Sequence, residues 1–162
     1  MRVETRELGV LEVEDRAIVQ FEDGILGFEG LHRFVFVDTE EFRPFVWFLS
    51  VEDPDVGFAV ADPFYFSNVP YDLSLSSADE ESLGLEEGDS IAIFVVVAIE
   101  ENGERITANL KGPIVLNTRN RQAKQLVVYG SSYSVRQPML SRRVVPLQNA
   151  VGGASAVADD AA

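Results

Sequence analysis

Alternating apolar and polar residues, with runs of β-branched and aromatic side chains, dominate this chain and are typical of β-strands. The pattern predicts strands near residues 2–7, 10–14, 17–21, 33–38, 45–50, 57–61, 90–100, 105–110, 113–118 and 125–130. Gly and Pro interrupt these short stretches at frequent intervals. The sequence therefore predicts an all-β fold, a small antiparallel β-barrel that is closed or nearly closed.

A single helix is predicted, in the stretch SSADEESLGL. Ser76 or Ser77 can cap a first turn that is rich in Asp and Glu, and Gly84 can end the helix. The helix is therefore expected to be short, and the fold is expected to be mainly β.

The stretch IEENGERI predicts a β-hairpin, because Asn102 and Gly103 readily adopt the two positive φ angles of a type I′ turn. That turn sets the register of the two strands. The predicted facing pairs are Glu101 with Glu104, Glu100 with Arg105, Ile99 with Ile106, Val97 with Ala108, Val96 with Asn109 and Val95 with Leu110.

The stretch TANLKGPIVLNT carries two side-chain amides, one on each side of a Gly-Pro break. Pro113 cannot donate a hydrogen bond to a ladder, so the chain is expected to turn into a new strand there. A buried amide needs hydrogen-bond partners, so Asn109 and Asn117 are interpreted first as ties between a bent strand and neighbouring backbone. The second interpretation is that this corner shapes a surface that a partner recognises.

The composition indicates one soluble domain. The 162 residues are predicted to form a domain over residues 1–140, followed by a flexible, Gly/Ala/Ser-rich tail over residues 141–162. The absence of Cys excludes disulfides and thiolate metal sites. No signal-peptide pattern is present, and the longest apolar run, IAIFVVVAI, is shorter than a membrane helix. A cytoplasmic protein without membrane contact is expected.

The net charge of −14 is unevenly distributed along the chain. Residues 44–104 contain fourteen acids and no Lys or Arg, whereas residues 105–158 contain eight bases and no acid. The excess of acid either keeps the protein soluble or attracts a basic partner. Direct binding of nucleic acid is not expected, because such proteins usually present a basic surface.

Motifs for catalysis or cofactor binding are absent from the sequence, including the nucleophile elbow, the Walker loop, the dinucleotide fingerprint and HExxH. His32 is the only histidine. The acids of VEDPDVG, Glu52, Asp53 and Asp55, fit a Pro-Asp turn better than a hard-cation site. We predict no enzymatic activity and no cofactor; the alternative is a small-ligand or metal-binding β-barrel, possibly an enzyme that uses a carboxylate pair.

Two apolar stretches are candidates for protein binding. In FEDGILGFEG, Ile25 and Phe28 lie between glycines and next to Glu29, so the loop either plugs a barrel end or offers an anchor to another protein. In PFVWFLS, Trp47 belongs to a strand that is expected to place at least one ring outward.

These stretches resemble the FliW family over about residues 1–140. FEDGILGFEG is similar to the family's GIPGFE element, PFVWFLSVEDPDVGFAVADP to its central segment, and TANLKGPIVLNTRNRQAKQLVV to its NL-x-APIxIN…Q signature. The chain departs from the family at Leu26, where proline is usual, at Gly112, where alanine is usual, and in WFLS, which lacks the glutamine often found after that leucine.

The resemblance implies a mostly β flagellar assembly factor without enzymatic activity. FliW-like proteins bind the RNA-binding regulator CsrA, relieve its repression of flagellin translation, and also bind newly made flagellin. Free flagellin occupies the factor, and the factor released after flagellin export sequesters CsrA. We therefore expect a CsrA-type regulator and flagellin as partners. The candidate protein-binding residues are Ile25, Phe28, Glu29, Trp47, Asn109 and Asn117.

Overall fold

The computed structural model describes residues 1–67, 71–129 and 132–140. Within them the strands are β1 (Arg2–Thr5), β2 (Gly9–Glu12), β3 (Val19–Phe21), β4 (Arg33–Val37), β5 (Val46–Ser50), β6 (Gly57–Ala61), β7 (Ile91–Glu100), β8 (Arg105–Ala108), β9 (Ile114–Asn117), β10 (Gln122–Gln125) and β11 (Gln137–Pro138). The predicted flexible tail, residues 141–162, lies outside the described residues. The fold is mainly β, as predicted.

The predicted helix is confirmed as α1 (Ser77–Ser82). Ser76 caps it through a reciprocal pair of hydrogen bonds with Asp79, and Gly84 follows it with a φ of +60°. Short 3-10 turns occur at Asp15–Ala17, Glu40–Phe42, Pro63–Phe66 and Glu101–Gly103.

Seven strands form a closed ring in the order β3, β4, β5, β6, β7, β9 and β10. The ring closes because β10 pairs with β3, so the predicted closed barrel is confirmed. Every pairing around the ring is antiparallel except β3 with β10, which is parallel. Strands β8 and β11 extend the sheet beyond β7, and β1 pairs with β2 in a separate hairpin.

The long strand β7 pairs along one edge with two strands in succession. Its first half pairs with β9, and its second half pairs with β8. Ala108 lies opposite Val97, and Ile114 lies opposite Phe94. The six residue steps from Ala108 to Ile114 therefore match only three steps along β7. The Gly112-Pro113 break therefore lies in a detour of three extra residues, and the chain enters a new strand after it, as predicted.

The register of the β7–β8 hairpin is confirmed from Glu100 opposite Arg105 to Val97 opposite Ala108. Asn102 and Gly103 have φ angles of 55° and 91°, as a type I′ turn requires. Of the other three predicted pairs, Val96 with Asn109 keeps one backbone hydrogen bond, from the Asn109 amide to the Val96 carbonyl (2.9 Å), and the two at the ends of the hairpin are absent from the ladder. Glu101 also has a positive φ, of 54°, which ends the ladder before it. Leu110 donates its amide to Ser134 (2.9 Å) and does not face Val95.

Phenylalanine side chains fill the barrel. The ring of Phe34 stacks on Phe48 at a centroid distance of 4.7 Å, and Phe36 stacks on Phe94 at 4.4 Å. All four side chains are fully buried. Each such pair contributes about 0.5–1.5 kcal/mol beyond the burial of its area. The interior is thus a packed core, as expected for a barrel of this size.

Two strands differ from the prediction. Strand β10 begins three residues before the predicted start, because Arg121 has a φ of 63° and Ala123, next in the ladder, is buried in the barrel core. Residues beyond Gln125 run beside residues 111–113 through two backbone hydrogen bonds. Strand β11 was not predicted, because two residues are too few for a periodic pattern.

Candidate protein-binding site

The loop between β3 and β4 places one apolar side chain inside the barrel and another in solvent. Ile25 is buried in the barrel core, which confirms that the loop plugs the barrel. Phe28 donates its amide to the Ile25 carbonyl (2.6 Å), and Gly27 between them has a φ of +90°. The turn exposes Leu26 (77% exposed). This loop therefore both closes the barrel and presents a leucine at its tip.

Packing and hydrogen bonds hold the rest of the loop in place. Phe28, which is partly exposed, packs edge-to-face on Phe58 at a centroid distance of 5.3 Å. The exposed Glu29 turns back into the loop, where its carboxylate accepts a hydrogen bond from the Gly27 amide (2.7 Å). The tip is consequently ordered before any partner binds, which lowers the entropic cost of binding.

Gln125 connects this loop to the Gly-Pro corner. Its Oε1 accepts a hydrogen bond from the Leu26 amide (2.9 Å), and its Nε2 donates to the Gly112 carbonyl (3.0 Å). A Cβ atom added to Gly112 would lie 2.9 Å from Asn109 Nδ2 and 3.0 Å from Gln125 Nε2. The structure thus brings the loop, the corner and Asn109 together, and glycine at position 112 leaves room for both amides.

The two candidate asparagines have different surroundings. Asn109 is half-buried, and its Oδ1 accepts a hydrogen bond from the Lys111 amide (3.0 Å) within the corner. Asn117 is fully buried, and its Nδ2 donates to the Leu83 carbonyl (3.0 Å) and to Asp89 (3.2 Å). Asn117 therefore joins β9 to the segment that follows α1, and its side chain is not accessible to a partner.

Trp47 lies apart from the loop and the corner. Its ring stacks on Phe42 at a centroid distance of 4.0 Å, and it packs against the cluster that includes Val35 and Leu49. The side chain is partly exposed. It lies on β5 opposite Val37 of β4, and the cluster it packs against is separate from the barrel core that contains Ile25 of the loop.

A groove of about 870 Å³ runs beside β10 and the residues that follow it. Its lining comes from residues within the segment 72–79, from residues 124–129, and from Ser132 and Tyr133. The Tyr133 hydroxyl accepts a hydrogen bond from the Asp72 amide (3.0 Å). Burial raises the pKa of the neighbouring Tyr71 hydroxyl, which donates to the Leu110 carbonyl.

Two acidic side chains at or near the groove form ion pairs with basic side chains. Lys124 Nζ lies 2.8 Å from Asp79 Oδ1, and this hydrogen bond lowers the pKa of Asp79. The Arg119 guanidinium lies 2.8 Å from Asp89 Oδ1 and lowers the pKa of that carboxyl to about 2. Both carboxylates are therefore ionised at neutral pH, and both bases are already paired.

The acids of the VEDPDVG stretch organise a turn, as the sequence indicated. Glu52 accepts hydrogen bonds from the amides of His32 (2.7 Å) and Arg33 (3.0 Å), which lower its pKa. Asp53 Oδ1 accepts one from the Asp55 amide (3.0 Å).

Among the described residues, no group of three His, Cys, Asp or Glu side chains is placed to hold a metal ion. In the same residues, no helix is long and apolar enough to span a membrane.

Comparison with known proteins identifies the family. A model of the FliW protein family matches residues 2–139. This chain belongs to the FliW family. The protein named flagellar assembly factor FliW from Caldanaerobacter subterraneus subsp. tengcongensis is 36% identical over 141 residues, 86% of this chain and 93% of that protein. Its counterpart from Geobacter sulfurreducens is 35% identical over 142 residues, 88% of each chain.

The fold agrees with a solved FliW structure. A crystal structure of the flagellar assembly factor FliW superimposes with a TM-score of 0.79 at 30% sequence identity, and the match covers 89% of this chain and all of the other. The seven-stranded ring described above is therefore a fold that the FliW family adopts.

Sequence reasoning did not select several residues that the structure places at the loop tip and at the groove. Leu26 was not among the candidate protein-binding residues, yet it is the exposed tip of the loop. Gln125 was only part of a quoted signature, although it links the loop to the corner. Tyr129 fell inside a predicted strand, but it is 85% exposed beside the groove.

Proposed function

We propose that this protein is a non-enzymatic, cytoplasmic flagellar assembly factor that binds and antagonises a CsrA-type RNA-binding regulator and also binds flagellin. The observation that carries the proposal is family membership over residues 2–139. In this scheme, free flagellin occupies the protein, and the protein released after flagellin export sequesters the regulator. Flagellin synthesis is thereby coupled to flagellin export.

The charge of the protein supports a basic protein partner. The chain carries a net charge of −14, with fourteen acids and no Lys or Arg between residues 44 and 104. The bases Lys124 and Arg119 are already paired with carboxylates. An RNA-binding regulator carries basic surface, so the complementary fields speed its encounter with this protein.

The exposed apolar residues near the groove support binding of protein over binding of a small molecule. Leu26, Val127 and Tyr129 are 77%, 57% and 85% exposed, whereas the barrel interior is filled by Phe side chains. Apolar residues surrounded by polar ones are typical of protein-binding surfaces. We assign the loop tip and the groove as the surface that contacts partners.

Calorimetric titration with a purified CsrA-type regulator, and separately with flagellin, tests the proposal. We expect the Leu26→Ser variant to bind at least one partner roughly tenfold more weakly, because truncating a central apolar anchor costs on the order of 1–2 kcal/mol. The matched control is Val10→Ser, which changes an apolar residue that is 52% exposed on the separate β1–β2 hairpin. Its affinity should equal that of the wild type.

Salt provides a second measurement. At an ionic strength of about 0.15 M, exposed charges are screened beyond roughly 8 Å, so regulator binding should weaken as salt increases. Neutralising any single carboxylate should leave binding in place, because the field comes from many acids. Absence of binding to both proteins at low salt would contradict the proposed function.

A further inference from the structure

Within the described residues, the chain beyond β10 has one paired edge and one open edge. The Leu126 amide donates to the Pro113 carbonyl (2.8 Å), and the Val128 amide donates to the Lys111 carbonyl (2.9 Å). In an antiparallel pair, alternate residues direct their N–H and C=O groups to opposite sides. The backbone groups of Val127 and Tyr129 therefore point away from residues 111–113.

Nothing within the described residues pairs with that second edge. Strand β3 covers the corresponding edge of β10 but ends at Phe21, which lies opposite Ala123. Across residues 1–67, 71–129 and 132–140, the backbone groups of Val127 and Tyr129 make no hydrogen bond. Unpaired edges of this kind are templates for strand addition, and natural proteins usually protect them.

Val127 and Tyr129 also line the groove described above, together with residues of the segment 72–79. An extended chain lying in the groove would meet the backbone of Val127 and Tyr129 on one side. Leu73, which lines the same groove, offers it an apolar contact. This combination of backbone groups and flanking side-chain contacts is the geometry by which strand addition gives both affinity and specificity.

The charge around the groove indicates which charge a bound segment should carry. Asp72 is exposed at the groove, and Glu80 and Glu81 are exposed on the adjacent helix α1. Lys124, the base in the lining, is bound to Asp79. The charged residues of the lining, Asp72, Asp79 and Lys124, therefore sum to a negative charge, which favours an incoming segment with a Lys or Arg and disfavours a second copy of this acidic chain.

We propose that the open edge at Val127 and Tyr129 binds an extended segment of a partner protein, which adds to the sheet as a strand. The segment carries apolar residues at alternate positions and a basic residue between them. This inference deepens the proposed function by naming how a partner is held, but its first test needs neither CsrA nor flagellin.

The probe is a seven-residue peptide of alternating lysine and valine, titrated into the full-length protein labelled with nitrogen-15 and followed by NMR. We expect shifts of the Val127 and Tyr129 amides. Val127→Pro removes one edge N–H, and proline is tolerated at edge positions whose N–H faces solvent. Val127→Ala, which keeps the N–H, is the matched control. The Pro variant should bind the peptide roughly fivefold more weakly than the Ala variant, the effect of one net hydrogen bond.

A second probe keeps the proposal falsifiable if the Pro variant does not fold. The same peptide, N-methylated at alternate residues, retains its charge and side chains but cannot complete a ladder. It should bind the wild-type protein at least as weakly as the unmodified peptide binds the Pro variant. Equal binding of the two peptides would show attraction by charge alone and would overturn the proposal.

Two further results would also overturn it: peptide-induced shifts confined to residues away from the groove, and a wild-type dimer that Val127→Pro converts to a monomer. The latter would identify a second copy as the occupant. If neither CsrA nor flagellin binds while the peptide adds to this edge, the proposed function fails and the strand-binding site stands. If both bind while the peptide does not, the reverse holds.

Discussion

Asn117 offers a test of whether the corner amides stabilise the fold or contact a partner. In the Asn117→Ala variant, Nδ2 no longer donates to Leu83 and Asp89, and Oδ1 no longer accepts from the Arg119 amide (3.1 Å). Because the side chain is fully buried, water cannot replace these bonds directly. We expect a loss of stability and no direct loss of a partner contact.

The magnitude follows from the bonds that remain. The Leu83 carbonyl still accepts from Asn120 Nδ2 (3.0 Å), and Asp89 keeps its bond to Arg119, so neither acceptor is left unpaired. A net hydrogen bond contributes about 0.5–1.5 kcal/mol, and one to a charged group about 1.5–3 kcal/mol. The variant should therefore lose about 3 kcal/mol, or about 6–12 °C in Tm for a domain of this size.

Urea denaturation and thermal melting measure this loss, and calorimetry with the regulator measures binding. Asn109→Ala is the matched control: it removes one hydrogen bond of a half-buried amide and should cost about 1 kcal/mol. If the free energy of unfolding of Asn117→Ala lies within about 0.5 kcal/mol of the wild-type value and the variant no longer binds the regulator, the structural role of Asn117 is refuted.

Two more predictions concern stability. Arg119 lowers the pKa of Asp89 to about 2, so the carboxylate stabilises the fold above its unfolded pKa of about 3.9, and this stabilisation is lost as the pH falls through the folded value. Asp89→Asn should melt below the wild type at pH 7, and the difference should shrink between about pH 4 and pH 2; a difference that does not change with pH would contradict this. Gly24 has a φ of +68°, and an added Cβ would lie 2.7 Å from Glu29 Cα. Gly24→Ala should therefore lose more than about 1–2 kcal/mol, whereas Gly30→Ala, with nothing within 4 Å, should melt as the wild type does. Equal melting of the two glycine variants would disprove the close contact.

Features with strong local signals could be predicted from the sequence. Asn102-Gly103 accounts for the hairpin and its register, because few other residues adopt two successive positive φ angles. Ser76 and Asp79 account for the start of α1, because their hydrogen bonds join residues three apart. Ile25 could be placed in a loop, and its apolar character made a plug a reasonable expectation.

Features that depend on distant residues could not be predicted. The parallel pairing that closes the barrel joins Gln122 to Gln20, and no local pattern selects that partner. The bond from Leu26 to Gln125 joins residues 99 apart. Alternation correctly placed Trp47 in a strand, but it could not show that Phe42 would cover its ring.

The residues between Ala108 and Ile114 shape the surface of the barrel, while β7 remains paired with the chain on both sides of them. Strand β7 has its own register with the chain on each side of the detour, so the ring does not depend on how many residues lie between. Insertions within residues 109–113 would change what the barrel displays next to Gln125 while the registers of β7 with β8 and with β9 stay in place. The corner therefore shapes the surface next to Gln125 without altering the packed core.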